Sequence, residues 1–212
     1  MSEKAFDDVE VLEKTIQPTP IDKEVQWNKA ESILCKMDPE GLIEYANDAF
    51  IDVCGYEDYE LISQSHSITR HPDMPEAIFN MVWDNLRAGK KFQAIVKNLA
   101  KSGRYYWVSV DYDVVKNENG DIMHFFGREK AVPADVITKH IEPLYKRLLN
   151  IERASGVLAS EKYLVGFLEE CGKSYMDYLK HVNVEAAPKV EDVVTEVKKG
   201  AHKGHFLNVF TF

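Results

Sequence analysis

The chain has 212 residues, 45% of them hydrophobic and 29% charged. That balance belongs to a soluble globular domain with flanks and excludes disorder over most of the length. The net charge of −9 disfavours nonspecific adhesion to DNA or to anionic membranes, and no basic stripe marks a nucleic-acid site. No apolar run is long enough to span a bilayer, and the acidic first ten residues lack a signal-peptide core, so a cytoplasmic protein with no direct membrane span is expected.

Residues 1–29 form an N-terminal leader interrupted by Pro18 and Pro20, either mobile or with Val9 and Leu12 on one helical face. From residue 30 the pattern sharpens. Ile33, Cys35 and Met37 alternate, Asp38-Pro39-Glu40-Gly41 is turn chemistry, and residues 42–45 return as a second strand. Asn47 or Asp48 caps a short helix that Gly55 stops, and another helical turn fits 57–62. Ile78, Val82 and Leu86, beside Phe79 and Trp83, predict a helix over 76–88. Three strands follow, around 92–97, 105–115 and 122–128, with turns at Lys101-Ser102-Gly103 and Asn117-Glu118-Asn119-Gly120. This order predicts an α+β domain over 30–132, with an antiparallel sheet and helices on one face.

After Pro133 the period becomes helical. Ile137, Ile141, Leu144, Leu148 and Ile151 form a seam that needs a partner in cis or in another chain. Pro143 should kink that helix or restart it. Ser155-Gly156 breaks it, a second helix is predicted over 160–171, and Ser174 caps a last short one. The helical region therefore spans 133–182. Residues 183–212 read as a charged linker and an apolar tail, which either docks on a sheet edge or frays.

The chain lacks GxSxG, GxxxxGK[ST], HExxH and GxGxxG motifs, so no catalytic apparatus is visible and a non-enzyme is expected. His202 and His205 have HxxH spacing, but they fall in the tail. Cys35, Cys54 and Cys171 have no CxxC spacing and read as small buried hydrophobes. No metal site is expected. His66 and Arg70-His71-Pro72-Asp73 gather two imidazoles, a guanidinium and a carboxylate just ahead of the aromatic helix. They either grip a phosphate or heteroaromatic carbonyl, or Arg70 and Asp73 pair while His71 caps the helix. Phe50, Phe79, Trp83, Phe92, Tyr105, Tyr106 and Trp107 form either an apolar slot for a flat cofactor or an ordinary aromatic core.

Tyr45-Ala46-Asn47-Asp48-Ala49-Phe50, Gly55-Tyr56, Arg70-His71-Pro72-Asp73-Met74-Pro75, Ile95-Val96-Lys97-Asn98 and Tyr106-Trp107-Val108 resemble the PAS domain of bacterial aerotaxis receptors. The likeness continues weakly into Glu142-Pro143-Leu144-Tyr145-Lys146. It implies a PAS fold: a five-stranded antiparallel sheet and short helices forming a cofactor cleft, followed by C-terminal α-helices. It implies a sensor that binds FAD noncovalently and reports redox state or oxygen supply. Asn47, Arg70, His71 and Asp73 match family positions implicated in holding FAD, and Trp83, Asn98, Tyr106 and Trp107 line or buttress the cleft. With Phe50 and with Phe92, where the family commonly has Trp, these residues make up the expected cofactor-binding set.

The resemblance extends to the soluble PAS protein of bipartite energy-taxis systems. It implies a message passed to a separate chemotaxis or other signalling protein, with a homodimer as the expected assembly. Asn98 is the expected reader of the cofactor, and the helices after Pro133 are the expected output. Light-sensing flavin domains need a cysteine beside the ring, and residues 67–75 contain none. Two alternatives stand beside the FAD sensor. One is a haem b gas sensor ligated by His66, His71 or His124, and the other is a cofactor-free dimerisation or interaction module.

Overall fold

Turn residues and alternation lay down the first hairpin. In the computed structural model, which describes residues 17–186, β1 (Ile33–Met37) and β2 (Ile43–Ala46) pair antiparallel. The Asp38 carboxylate closes their turn by accepting from the Glu40 and Leu42 amides, the local bonding that favours Asp in turns. Gly41 sits there at φ +88°, and a Cβ would lie 2.7 Å from Trp83 Cη2. The left-handed backbone and the close indole both demand glycine.

Asn47 caps α1 (Asp48–Cys54), its Oδ1 accepting from the Phe50 amide at 3.1 Å, and Gly55 ends the helix with its amide bonded to Ile51 O. The short helix α2 (Asp58–Leu61) and a 3-10 turn, His66–Thr69, lead into α3 (Glu76–Arg87). Ala77, Ile78, Val82 and Leu86 form the buried stripe of α3, as a 3.6-residue period requires.

Strands β3 (Phe92–Leu99), β4 (Tyr105–Lys116) and β5 (Ile122–Ala131) complete an antiparallel sheet of five strands in the order β2-β1-β5-β4-β3. The first strand thus lies beside the last. The register separates two faces, because successive side chains on a strand point opposite ways. Cys35, Gly127, Tyr112 and Phe92 fall in line on one face, and so do Tyr106 and Asn98. This face is covered by α1 and α3. Lys97 and Trp107 pair on the other face.

The expected leader is partly docked. Ile21 N donates to Gly103 O, Val25 N to Tyr105 O and Tyr105 N to Lys23 O, at 2.8 to 3.0 Å, so residues 21–25 run beside the start of β4. Val9, Leu12, the His202–His205 pair and the apolar tail lie outside the described residues.

Beyond β5 the chain is helical. A short α4 (Ala134–Val136) passes through a π-helical turn, Ile137–Ile141, into α5 (Glu142–Ser155). The disturbance expected at Pro143 takes this form: proline has no amide to continue the ladder, and the bond just ahead of it spans five residues, Glu142 N to Ile137 O. Gly156, at φ +84°, ends α5 and also opens α6 (Val157–Glu170), so that helix starts earlier than residue 160. The last helix, α7 (Tyr175–Ala186), starts behind Ser174, whose Oγ accepts from the Asp177 amide at 3.2 Å, and it runs past residue 182.

The apolar seam finds partners within the chain. Leu144, Tyr145 and Leu148 are buried, α6 packs on α5 and α3, and α7 packs on β3. Strand β3 is a sheet edge. The Tyr145 hydroxyl donates to Ile95 O at 2.6 Å and shares a 2.6 Å bond with the Tyr175 hydroxyl, so helices cover an edge that would otherwise invite strand pairing. Among the described residues no helix is long and apolar enough to cross a membrane.

Candidate functional site

A cleft opens between the helix-covered sheet face, the 3-10 turn and α3. Its walls include Met37, His66, Arg70, Phe79, Trp83, Asn98 and Tyr112, and its volume is about 70 Å³. Arg70 stands at the end of the 3-10 turn. Its backbone bridges to Asn98 on β3, its Nη2 pairs with the Glu76 carboxylate, and its guanidinium lies 4.0 Å over the Phe79 ring. The fork of donors is therefore held at the cleft wall by a charge and an aromatic face.

Asn98 is 3% exposed, yet its Nδ2 has no hydrogen-bond partner among the described residues, and the hydroxyl of Tyr106, directly opposite on β4, has none either. The two groups lie close enough for Asn98 to act on the Tyr106 hydroxyl as a weak hydrogen-bond donor, short of full bonding geometry. Burial and then Glu129 push the Tyr106 hydroxyl well above its usual pKa, against a smaller lowering from Asn98. Buried amide and hydroxyl groups left open in this way are what a polar ligand edge satisfies. Trp83 packs edge-on to Phe125 at 5.8 Å. Phe50 is fully buried behind His66, ring centroids 6.2 Å apart, and burial lowers the His66 pKa to about 4, so its imidazole is neutral.

Phe50 and Tyr106 are buried behind the cleft lining, and the remaining expected site residues do not line it either. Asn47 is committed to the β1–α1 junction, where its Oδ1 also accepts from Leu34 N and its Nδ2 donates to Ser32 O. His71 Nδ1 accepts from the Asp73 amide at 3.0 Å. Burial, then Lys97, lowers its pKa to about 4, so it is neutral beside Asp73. Burial alone would raise the Asp73 carboxyl, but the Lys97 hydrogen bond and charge hold it below its usual value, with Lys97 Nζ 2.7 Å from Oδ2. Arg70 therefore pairs with Glu76 rather than with Asp73.

Lys97 and Trp107 lie on the opposite sheet face. There they form an outer groove with Asp73, Tyr145 and Arg153, and Trp107 packs on Tyr145 at 6.1 Å. The grouping of Trp107 with Tyr106 in one slot is corrected by strand alternation: neighbours on a strand cannot share a face. Phe92 stacks on Tyr175 of α7 at 6.0 Å, away from the cleft walls. His124 lies 2.8 Å from Glu44, also outside the cleft.

Two residues escaped the sequence reading. Glu129 on β5 is fully buried, and neither carboxyl oxygen has a partner among the described residues. A charged residue within an alternating strand was its only sequence mark. Glu152 on α5 reaches across to the start of α3, accepting from the Glu76 amide at 3.1 Å and the Ala77 amide at 3.0 Å. No local pattern reveals a helix cap supplied from so far along the chain.

Residues 43–128 match the family described as "PAS fold". Together with the order of the five-stranded sheet, this shows that the segment has a PAS fold. It is similar to the aerotaxis receptor of Escherichia coli, 36% identical over 117 residues, an alignment covering 55% of this chain and 23% of that protein. The nitrogen fixation regulatory protein of Klebsiella pneumoniae is 24% identical over 172 residues, covering 75% of this chain and 35% of that protein. The chain thus spans well under half the length of these relatives. A solved structure titled "Flavin Analogue Sheds Light on Light-Oxygen-Voltage Domain Mechanism" superposes with a TM-score of 0.47 at 20% identity, covering 59% of this chain and 89% of that one.

Proposed function

We propose that this protein is a cytoplasmic sensor that holds FAD noncovalently in the cleft. It reports redox state or oxygen supply to a separate signalling protein, in the manner of energy taxis. The observation that carries the reading is the pairing of a guanidinium fork with an unsatisfied buried amide, Arg70 and Asn98, across an aromatic-walled cleft of a PAS domain similar to that of an aerotaxis receptor. A bound flavin supplies reversible electron uptake with a change of charge at its polar edge. Arg70 donates to that edge, Asn98 presents an amide that is either paired or left open, and Phe79 and Trp83 exclude water. Pockets for such ligands run to about 300 Å³ and more, so ring entry moves the 3-10 turn and Arg70 outward from the sheet.

That movement has a route to the C-terminal helices. Arg70 holds Glu76, and the amides of Glu76 and Ala77 are held by Glu152 of α5. Glu152→Gln removes the charge at the α3 N-terminus and one of two charge-assisted bonds. It is expected to lower unfolding free energy by about 2 kcal/mol, read by urea titration. Flavin should be retained, while reduction no longer changes protease protection of residues 134–182. Unaltered redox-dependent protection would remove Glu152 from the route. Leu158 and Val165, exposed on α6, offer a surface for the homodimer.

The reading is tested by the absorption spectrum of gently purified protein before and after dithionite. Bands near about 370 and 450 nm that bleach on reduction are the expected result. A sharp band near about 410 nm would instead favour haem b, for which His66, neutral in the cleft wall, is the available ligand. A blank spectrum that stays blank after incubation with FAD overturns both and leaves an interaction module.

A further inference from the structure

Four buried polar atoms on the helix-facing side of the sheet lack partners among the described residues: Asn98 Nδ2, the Tyr106 hydroxyl oxygen and both Glu129 carboxyl oxygens. They stand on β3, β4 and β5. Asn98 is directly opposite Tyr106, and Glu129 acts electrostatically on Tyr106. Glu129 pairs in register with Val110, two residues along β4 from the cleft-lining Tyr112. A buried carboxyl that makes no hydrogen bond is severely unfavourable, and three residues with open polar groups on one face of adjoining strands, Glu129 four positions along β4 from the Asn98–Tyr106 pair, point to a partner the protein binds.

We propose that Glu129, behind the cleft lining, is a neutral carboxylic acid that hydrogen-bonds the polar edge of a planar heteroaromatic ligand entering through this cleft, with Asn98 and Tyr106 bonding it further along the sheet. A neutral acid sets an O–H donor beside a C=O acceptor. That pair is complementary to the adjoining acceptor and N–H positions of a cyclic amide or imide, which a flavin carries; in naming a flavin the proposal rests on the function proposed above. The titratable groups facing Glu129 are Cys35 on β1, Cys54 on α1, and Tyr106 and Tyr112 on β4. Burial raises the pKa of every one of them, so all stay neutral, and none supplies the positive charge a buried carboxylate needs. Burial pushes Glu129 itself up to about 8.

The test is calorimetric titration of ligand-free wild-type, Glu129→Gln and Glu129→Leu protein with FAD at pH 6.5 and pH 9. Wild-type affinity is expected to fall about tenfold between the two values, as the acid loses its proton. Glu129→Gln, which keeps a donor and an acceptor but cannot ionise, should bind equally at both. Glu129→Leu should bind about tenfold more weakly than wild type at pH 6.5. If the Leu variant fails to fold, the contrast between wild type and Gln still decides. Equal affinity and equal pH dependence in wild type and Gln overturn the role of Glu129 and leave the flavin reading standing. Folded wild-type protein that binds no FAD at either pH overturns both.

Discussion

Tyr145→Ala is expected to destabilise the protein by about 4 kcal/mol and to release α5, α6 and α7 from the edge of β3. Tyr145 is 1% exposed, and its ring fills the space against Trp107. Its hydroxyl joins the free edge carbonyl of Ile95 to Tyr175, and Tyr175 in turn stacks on Phe92. Removing the ring leaves a cavity, an uncapped strand edge and an orphaned tyrosine. Tyr145→Phe separates the contributions. It keeps the ring and removes the bonds to Ile95 O and to the Tyr175 hydroxyl, at about 1–3 kcal/mol. Urea titration measures both losses, and limited proteolysis reads the release of residues 134–186. A loss below about 1 kcal/mol in the alanine variant, with the helices still protected, would show that the edge is held by other contacts.

The second large effect is a fall in stability as pH rises, caused by Glu129. In the folded protein burial raises its pKa to about 8, from 4.5. Below about pH 4.5 the carboxyl is protonated in both states, and the stability of the neutral form is fully present. Between 4.5 and 8 the unfolded chain releases the proton while the folded chain keeps it, so unfolding becomes progressively easier. Above 8 the difference levels off. At roughly 1.4 kcal/mol per pKa unit, the loss is on the order of 5 kcal/mol. Glu129→Gln removes this dependence, so in ligand-free protein its stability relative to wild type should climb from pH 5 to pH 8.5. Parallel profiles would mean that Glu129 ionises in the fold as readily as in the unfolded chain. Cys54 and Tyr106 do not confuse the reading, since burial moves both upward, Cys54 to about 11.

The fold was legible wherever local chemistry decides the backbone. Asp38 and Gly41 in the first turn, the Asn47 cap, the Gly55 stop and the apolar stripe of α3 each act within a few residues. The string Arg70 to Pro75 stood out because its composition is unusual at any position, although only Arg70 of it lines the cleft. The site was legible only in part. Arg70, Trp83 and Asn98 lie together on the walls of one cleft, whereas Asp73 and Trp107 belong to the outer groove. Alternation already separates Trp107 from Tyr106, but it does not say which face a helix will cover or where the C-terminal helices will lie.

The sequence alone determined the strands, most of the helices and their local caps, because those follow from residue-level preferences, and its motifs carried the resemblance to a PAS domain. It also determined that Pro143 interrupts or restarts the helical run after Pro133, since proline has no amide to continue an existing ladder. Only the tertiary structure decided that the helical seam is satisfied within the chain, that Glu152 caps a helix distant in sequence, and that Glu129 is buried without a partner. Those outcomes depend on which surfaces meet once the sheet has closed β1 against β5. The burial and hydrogen bonding of a side chain are properties of that meeting, and its own neighbours in sequence carry no record of it.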